Sequence, residues 1–143
     1  MKASYLYRGA AVLLVLFAAG HTFGFSQTDP SMGIDAMLAS MRSIHFDAMG
    51  FSRSYWDFFM GAGLTVGALY LFAAILAWQL AGVPGGMLSL TRWAFAACFV
   101  AITAISWFYL FTIPIAFSAI VTLCLAVAAW LSNRTAGPDS GRA

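Results

Sequence analysis

Between positions 88 and 131 the chain carries one charged residue, Arg92. Such a run is more than twice the roughly twenty residues that an α-helix needs to cross a hydrocarbon core about 30 Å thick. Lipid offers no hydrogen bonds, so each crossing must satisfy its own backbone, which only helices or a closed barrel achieve. The run therefore predicts two helices joined by a tight turn. Pro114 is the place to divide them: it has no amide hydrogen to give to a continuing helix but suits a first turn, with Thr112 ahead of it as a cap. The spans then run from about 88 to 110 and from about 113 to 131.

Two more apolar stretches precede these, at about 6–25 and 55–80, the second closed by Gln79 and the turn-forming Gly82-Val-Pro-Gly-Gly86. Four crossings predict an all-α integral membrane four-helix bundle occupying residues 1–131 as one domain. Composition agrees, since 62% of the 143 residues are hydrophobic and 8% charged, with no glutamate, where soluble domains hold about half and about a quarter. A net charge of +2 without any basic run argues against nucleic acid as a partner. Cys98 and Cys124 lie singly in apolar runs and read as buried fillers rather than a redox pair.

The first stretch has a second reading. Lys2 and Arg8 ahead of an apolar middle, with Ala18-Ala-Gly20 as a small-residue cleavage site, also describe a signal peptide. N-terminal sequencing separates the two, because cleavage would leave His21 first.

The longest polar connection, 26–54, is patterned. Ile34, Met37, Leu38, Met41 and Ile44 recur at helical spacing, while Asp35, Ser40, Arg42 and Ser43 occupy the other face. This predicts a short amphipathic helix over 31–45, capped by Asp29 or Ser31, on the membrane surface or folded over the bundle. Residues 132–143, containing Gly, Ser and Pro, are expected to form a disordered cytoplasmic tail. Four crossings put both termini on one side, with Lys2, Arg8, Arg92, Arg134 and Arg142 against Arg42 and Arg53 on the other. The positive-inside rule makes the terminal side cytoplasmic, in a bacterial inner membrane.

Polar chemistry gathers in 45–59, which holds His45, Asp47, Arg53, Asp57 and the pair Tyr55-Trp56. His21 near the end of the first span and Asp57 near the start of the second fall at a similar depth, and ionisable groups in lipid seek partners in the bundle interior. One reading is a His21–Asp57 hydrogen bond forming a proton-transfer pair, with His45 or Arg53 as acid or electrostatic partner. The other is that Asp57 pairs locally with Arg53 while His21 bonds a neighbouring helix. His21, His45, Asp47 and Asp57 contain enough donors for a divalent ion, and Met37, Met41 and His45 for Cu(I), but no ligand-spacing motif requires either, and neither a metal nor a cofactor is assigned. A ligand pocket at this end would be walled by Arg53, Asp47, Tyr55, Trp56, Met41 and Trp107. Gly20 and Gly24, like Gly63 and Gly67, have the spacing of close helix packing. The phosphate-loop and nucleophile-elbow motifs of soluble enzymes do not occur.

Gly20-His-Thr-Phe-Gly24 and Arg53-Ser-Tyr-Trp-Asp-Phe-Phe-Met-Gly-Ala-Gly-Leu64, set within this span pattern, resemble small four-helix bacterial inner-membrane proteins, broadly DoxX-like. The resemblance implies a bundle and no particular activity. Three functions follow from the residues. The first is a binding module for a hydrophobic small molecule such as a membrane lipid, isoprenoid or quinone at the outer end. The second is an enzyme using His21 or Asp57 as base on a lipophilic substrate. The third is a subunit packing against itself or a partner membrane protein.

Overall fold

The structure, a computed structural model, describes residues 2–27 and 30–134. It is an all-α four-helix bundle built on α1 (Ala3–Gly24), α3 (Tyr55–Gly82), α4 (Ser89–Tyr109) and α5 (Thr112–Arg134), each long and apolar enough to cross a membrane. The protein is thus a multi-pass membrane protein. Each end lies within three residues of the position read from hydropathy. At 28 residues, α3 is about 42 Å long, more than the hydrocarbon core requires, so part of it reaches the interface or the helix tilts.

The chain between α1 and α3 differs from the single helix expected over 31–45. A 3₁₀ turn (Pro30–Met32) and a nine-residue helix α2 (Asp35–Ser43) lead into two strands, β1 (His45–Ala48) and β2 (Phe51–Ser54). They pair antiparallel, with His45 opposite Ser54 and Ala48 opposite Phe51. The turn residues Met49 and Gly50 have φ of 55° and 88°, the left-handed pair a two-residue hairpin needs. Ser31 lies in the 3₁₀ turn instead of capping α2, whose first flanking residue is Ile34. Asp29, the other expected cap, is outside the described residues. Of the apolar stripe, Leu38 is buried while Met37 and Ile44 are more than half exposed. At the other end α5 continues through Arg134, so the first residues of the expected tail are helical; 135–143 are outside the described residues.

The chain forms two compact units. The terminal unit comprises Met1–Leu16 and Phe72–Ala143. Its core is narrow and alanine-rich: Tyr7, Ala10, Ala11 and Leu14 of α1, Ala73, Ala74, Ala77 and Leu80 of α3, Phe95, Ala96 and Phe99 of α4, and Val121, Leu125, Ala128 and Ala129 of α5. Spacing of three and four residues keeps each set on one face, and small side chains let the helices approach closely. Thr103 and Thr122 join α4 to α5 through a 2.9 Å hydroxyl hydrogen bond. Cys98 is exposed and Cys124 half-buried, so Cys98 is not the buried filler expected.

The hairpin unit, Phe17–Leu71, is organised by glycine. A Cβ on Gly63 would collide with the ring of Phe25, and one on Gly67 would lie 2.7 Å from Thr22 Oγ1. Gly20 and Gly24 face open space, so only one of the two glycine pairs is used for helix packing in this chain. Phe17 packs on Tyr70 at 4.5 Å between centroids.

Candidate functional site

The polar residues expected to converge in the hairpin unit are occupied by local structure. Asp57 Oδ2 accepts hydrogen bonds from Ser54 N (2.8 Å) and Ser54 Oγ (3.0 Å), while Asp57 N donates to Ser54 Oγ at 3.2 Å. This is a reciprocal capping box that satisfies orphan donors at the start of α3. His21 Nε2 lies 3.0 Å from Gly63 O, and since a carbonyl only accepts, this nitrogen carries the proton. The imidazole stacks between Phe17 (5.9 Å, 11°) and Phe25 (5.1 Å, 12°). Gly63 lies six residues beyond Asp57, about 9 Å along the helix. The expected His21–Asp57 hydrogen bond is therefore not formed, and the proton-transfer pair is lost with it. His21 does bond a neighbouring helix, and the partner of Asp57 is Ser54 rather than Arg53.

The remaining candidates are similarly engaged. His45 Nδ1 lies 3.0 Å from Ser43 O. Asp47 Oδ1 accepts from Gly50 N at 2.8 Å, bracing the hairpin turn. Arg53 Nη1 donates to Ser52 O at 3.0 Å, and its guanidinium lies 5.3 Å from the Phe51 ring. Arg53 and His45 both lie within Coulombic reach of the Asp57 carboxylate. Tyr55 packs on Phe46, and Trp56 packs on Phe59 beneath the Arg42 guanidinium at 4.2 Å. Met41 is half-buried and Trp107, on α4, is 69% exposed. Among the described residues no three His, Cys, Asp or Glu side chains converge as metal ligands, so the set His21, His45, Asp47 and Asp57 is not assembled.

The terminal unit holds a site that the sequence reading passed over. A cavity of about 390 Å³ is lined by Lys2, Ala3 and Ser4 at the start of α1, by Tyr7, by the end of α3 and its following turn, by Arg92, and by Leu131, Ser132 and Arg134 of α5. Arg92 is 1% exposed. Its Nη2 donates to Val83 O at 2.8 Å and to Leu80 O and Pro84 O at 3.4 Å, bonding carbonyls of the last turn of α3 and of the turn that follows, at the negative end of the helix. The guanidinium sits 5.6 Å from the Tyr7 ring. Its Nε and Nη1 are buried with no hydrogen-bond acceptor among the described residues.

Among the described residues the surrounding charge is of one sign: Lys2 and Arg134 line the same cavity, and no carboxylate does. Arg134 is held 3.8 Å over the ring of Trp130, which restricts a side chain that would otherwise range widely. The first turn of α1 has no acidic residue, so its unpaired amides and the positive end of its dipole add to the same field. Chemically, this arrangement favours negative charge over positive. A lone arginine in an apolar run was the available signal, because an ionisable residue at membrane depth marks a site unless a partner accounts for it. Compared with family models, curated proteins and solved structures, the chain matches none.

Proposed function

We propose that the protein binds a membrane amphiphile with an anionic head group, seated in the cationic cavity of the terminal unit. The observation that carries this reading is Arg92, a nearly fully buried cation in the lining of a cavity that holds two further cations and, among the described residues, no carboxylate. Removing an ion from water costs several kcal/mol even after relaxation, and carbonyl contacts at one nitrogen offset only part of that. An anion completes the compensation. Basic pockets between membrane helices, at the end carrying most of the positive charge, suit lipid head groups. The lysine and arginine distribution favours a cytoplasmic location for this end, in a bacterial inner membrane.

The reading keeps the class of ligand expected from sequence and moves the site away from 45–59. It favours an acidic lipid or a charged isoprenoid over a quinone, whose neutral head gains nothing from three cations. The enzyme reading, with His21 or Asp57 as base, draws no support from a His21–Asp57 hydrogen bond, since each side chain bonds another partner. The test is purification of the full chain from native membranes, organic extraction and mass spectrometry. Wild type should retain an anionic lipid enriched over the bulk, and Arg92→Gln should lose it. Equal enrichment in both proteins would end this assignment.

A further inference from the structure

The charge and donor pattern of the same cavity points to a narrower ligand class. We infer that the head group is a phosphomonoester or diphosphate, a group of charge near −2 or beyond, rather than the monoanionic phosphodiester of common acidic phospholipids; this rests on the amphiphile-binding reading above.

The first argument is charge balance. Lys2, Arg92 and Arg134 bring three positive charges to the lining of one cavity, with no carboxylate there among the described residues. A phosphodiester would balance one of these charges and leave the other two without a counter-charge. A phosphomonoester carries about −1.5 to −2 near neutral pH, with its second ionisation near pH 6. A cationic setting favours the more highly charged form.

The second argument is the number and spread of donors. The cationic side chains come from separate elements: Lys2 just ahead of α1, Arg92 from α4, and Arg134 from the end of α5. Three directions of approach match a terminal phosphate, which presents three acceptor oxygens, better than a diester with two. Arg92 is fixed by its bonds to Leu80, Val83 and Pro84, and Arg134 by Trp130. The Nε and Nη1 atoms of Arg92 have no acceptor among the described residues, which leaves donors on this guanidinium beyond those used by the carbonyls. Leu80, Val83 and Leu131 line the same cavity and give the carbon next to the phosphate an apolar surface.

The experiment places the full chain in phosphatidylcholine nanodiscs containing either phosphatidic acid, which is a phosphomonoester, or phosphatidylglycerol, a diester. Retention of each lipid is read by native mass spectrometry. Phosphatidic acid should be retained about tenfold or more over phosphatidylglycerol, the size expected for at least one additional charge-assisted contact. The variants are Lys2→Gln with Arg134→Gln, which leave Arg92 and its carbonyl bonds intact, and Arg92→Lys, which keeps the charge. The double variant should lose most of the preference, and Arg92→Lys should retain part of it.

Equal retention of the two acidic lipids would overturn the phosphomonoester assignment while leaving the anionic-amphiphile reading standing. Retention of neither above phosphatidylcholine would overturn both. A further arm adds inorganic phosphate to discs of phosphatidylcholine alone. Should it bind as tightly as phosphatidic acid competes, the phosphate chemistry is upheld and the lipid source is overturned. A preference for phosphatidic acid that survives in the double variant would remove the cavity from the account.

Discussion

The two units treat polar groups in opposite ways. Among the described residues, the hairpin unit contains three carboxylates, two arginines and both histidines, whereas the terminal unit contains Lys2, Arg8, Arg92 and Arg134 and no carboxylate. The hairpin unit has the denser chemistry, yet its groups are occupied by caps, turns and ring stacking. The terminal unit has few charges, but its buried guanidinium is only partly satisfied. What distinguishes a site from scaffolding here is the balance between donors and available acceptors, and not the number of ionisable residues. A reactive-looking cluster close in sequence is close enough to satisfy itself.

The sharpest way to break this comparison is at the glycines. Gly63→Ala should destabilise the protein by about 1–3 kcal/mol, as overpacking does, because the new methyl meets the Phe25 ring; Gly20→Ala, into open space within α1, should be neutral or stabilise by up to about 1 kcal/mol. Equal effects would show that the hairpin unit is not organised around that contact. At Arg92 the contrast concerns function against stability. Arg92→Met removes the partner of the Leu80, Val83 and Pro84 carbonyls, so it should cost about 1–3 kcal/mol while anionic-lipid retention by the folded protein falls about tenfold. A cooperative loss of folding with unchanged lipid content in the residual folded protein would make Arg92 a structural cap alone.

Smaller effects sharpen the account of the hairpin unit. Ser54→Ala should cost about 1 kcal/mol, the usual value of a helix N-cap. Asp57→Ala should be non-additive with it, since both remove one reciprocal pair, and a fully additive double variant would separate Asp57 from the capping role. Arg42→Gln, which removes the cation over Trp56, should cost about 0.5–1 kcal/mol at this exposed position, read from the thermal midpoint in the same detergent.

Much of this was legible before any coordinates. The four spans were readable because crossing a bilayer depends on length and mean polarity, both local properties of the chain. The capping box was equally legible in Ser54-x-x-Asp57, but the proximity of His21 in depth drew Asp57 into a different pairing. The hairpin gave a weak signal, since its strands have four residues each and Met49 stands where Asn or Gly usually marks the turn. Arg92 is visible as a lone charge in an apolar run, but the acceptors that surround it come from other segments.

The sequence by itself determined that this chain lives in lipid, how many times it crosses, and where its breaks fall, because apolar run length and proline position act within one segment. Only the tertiary structure decided which polar groups are satisfied. Satisfaction depends on atoms brought from distant positions: Gly63 to His21, and Val83, Tyr7 and Arg134 to the neighbourhood of Arg92. A buried charge is costly or functional according to those neighbours, and no segment read alone contains them.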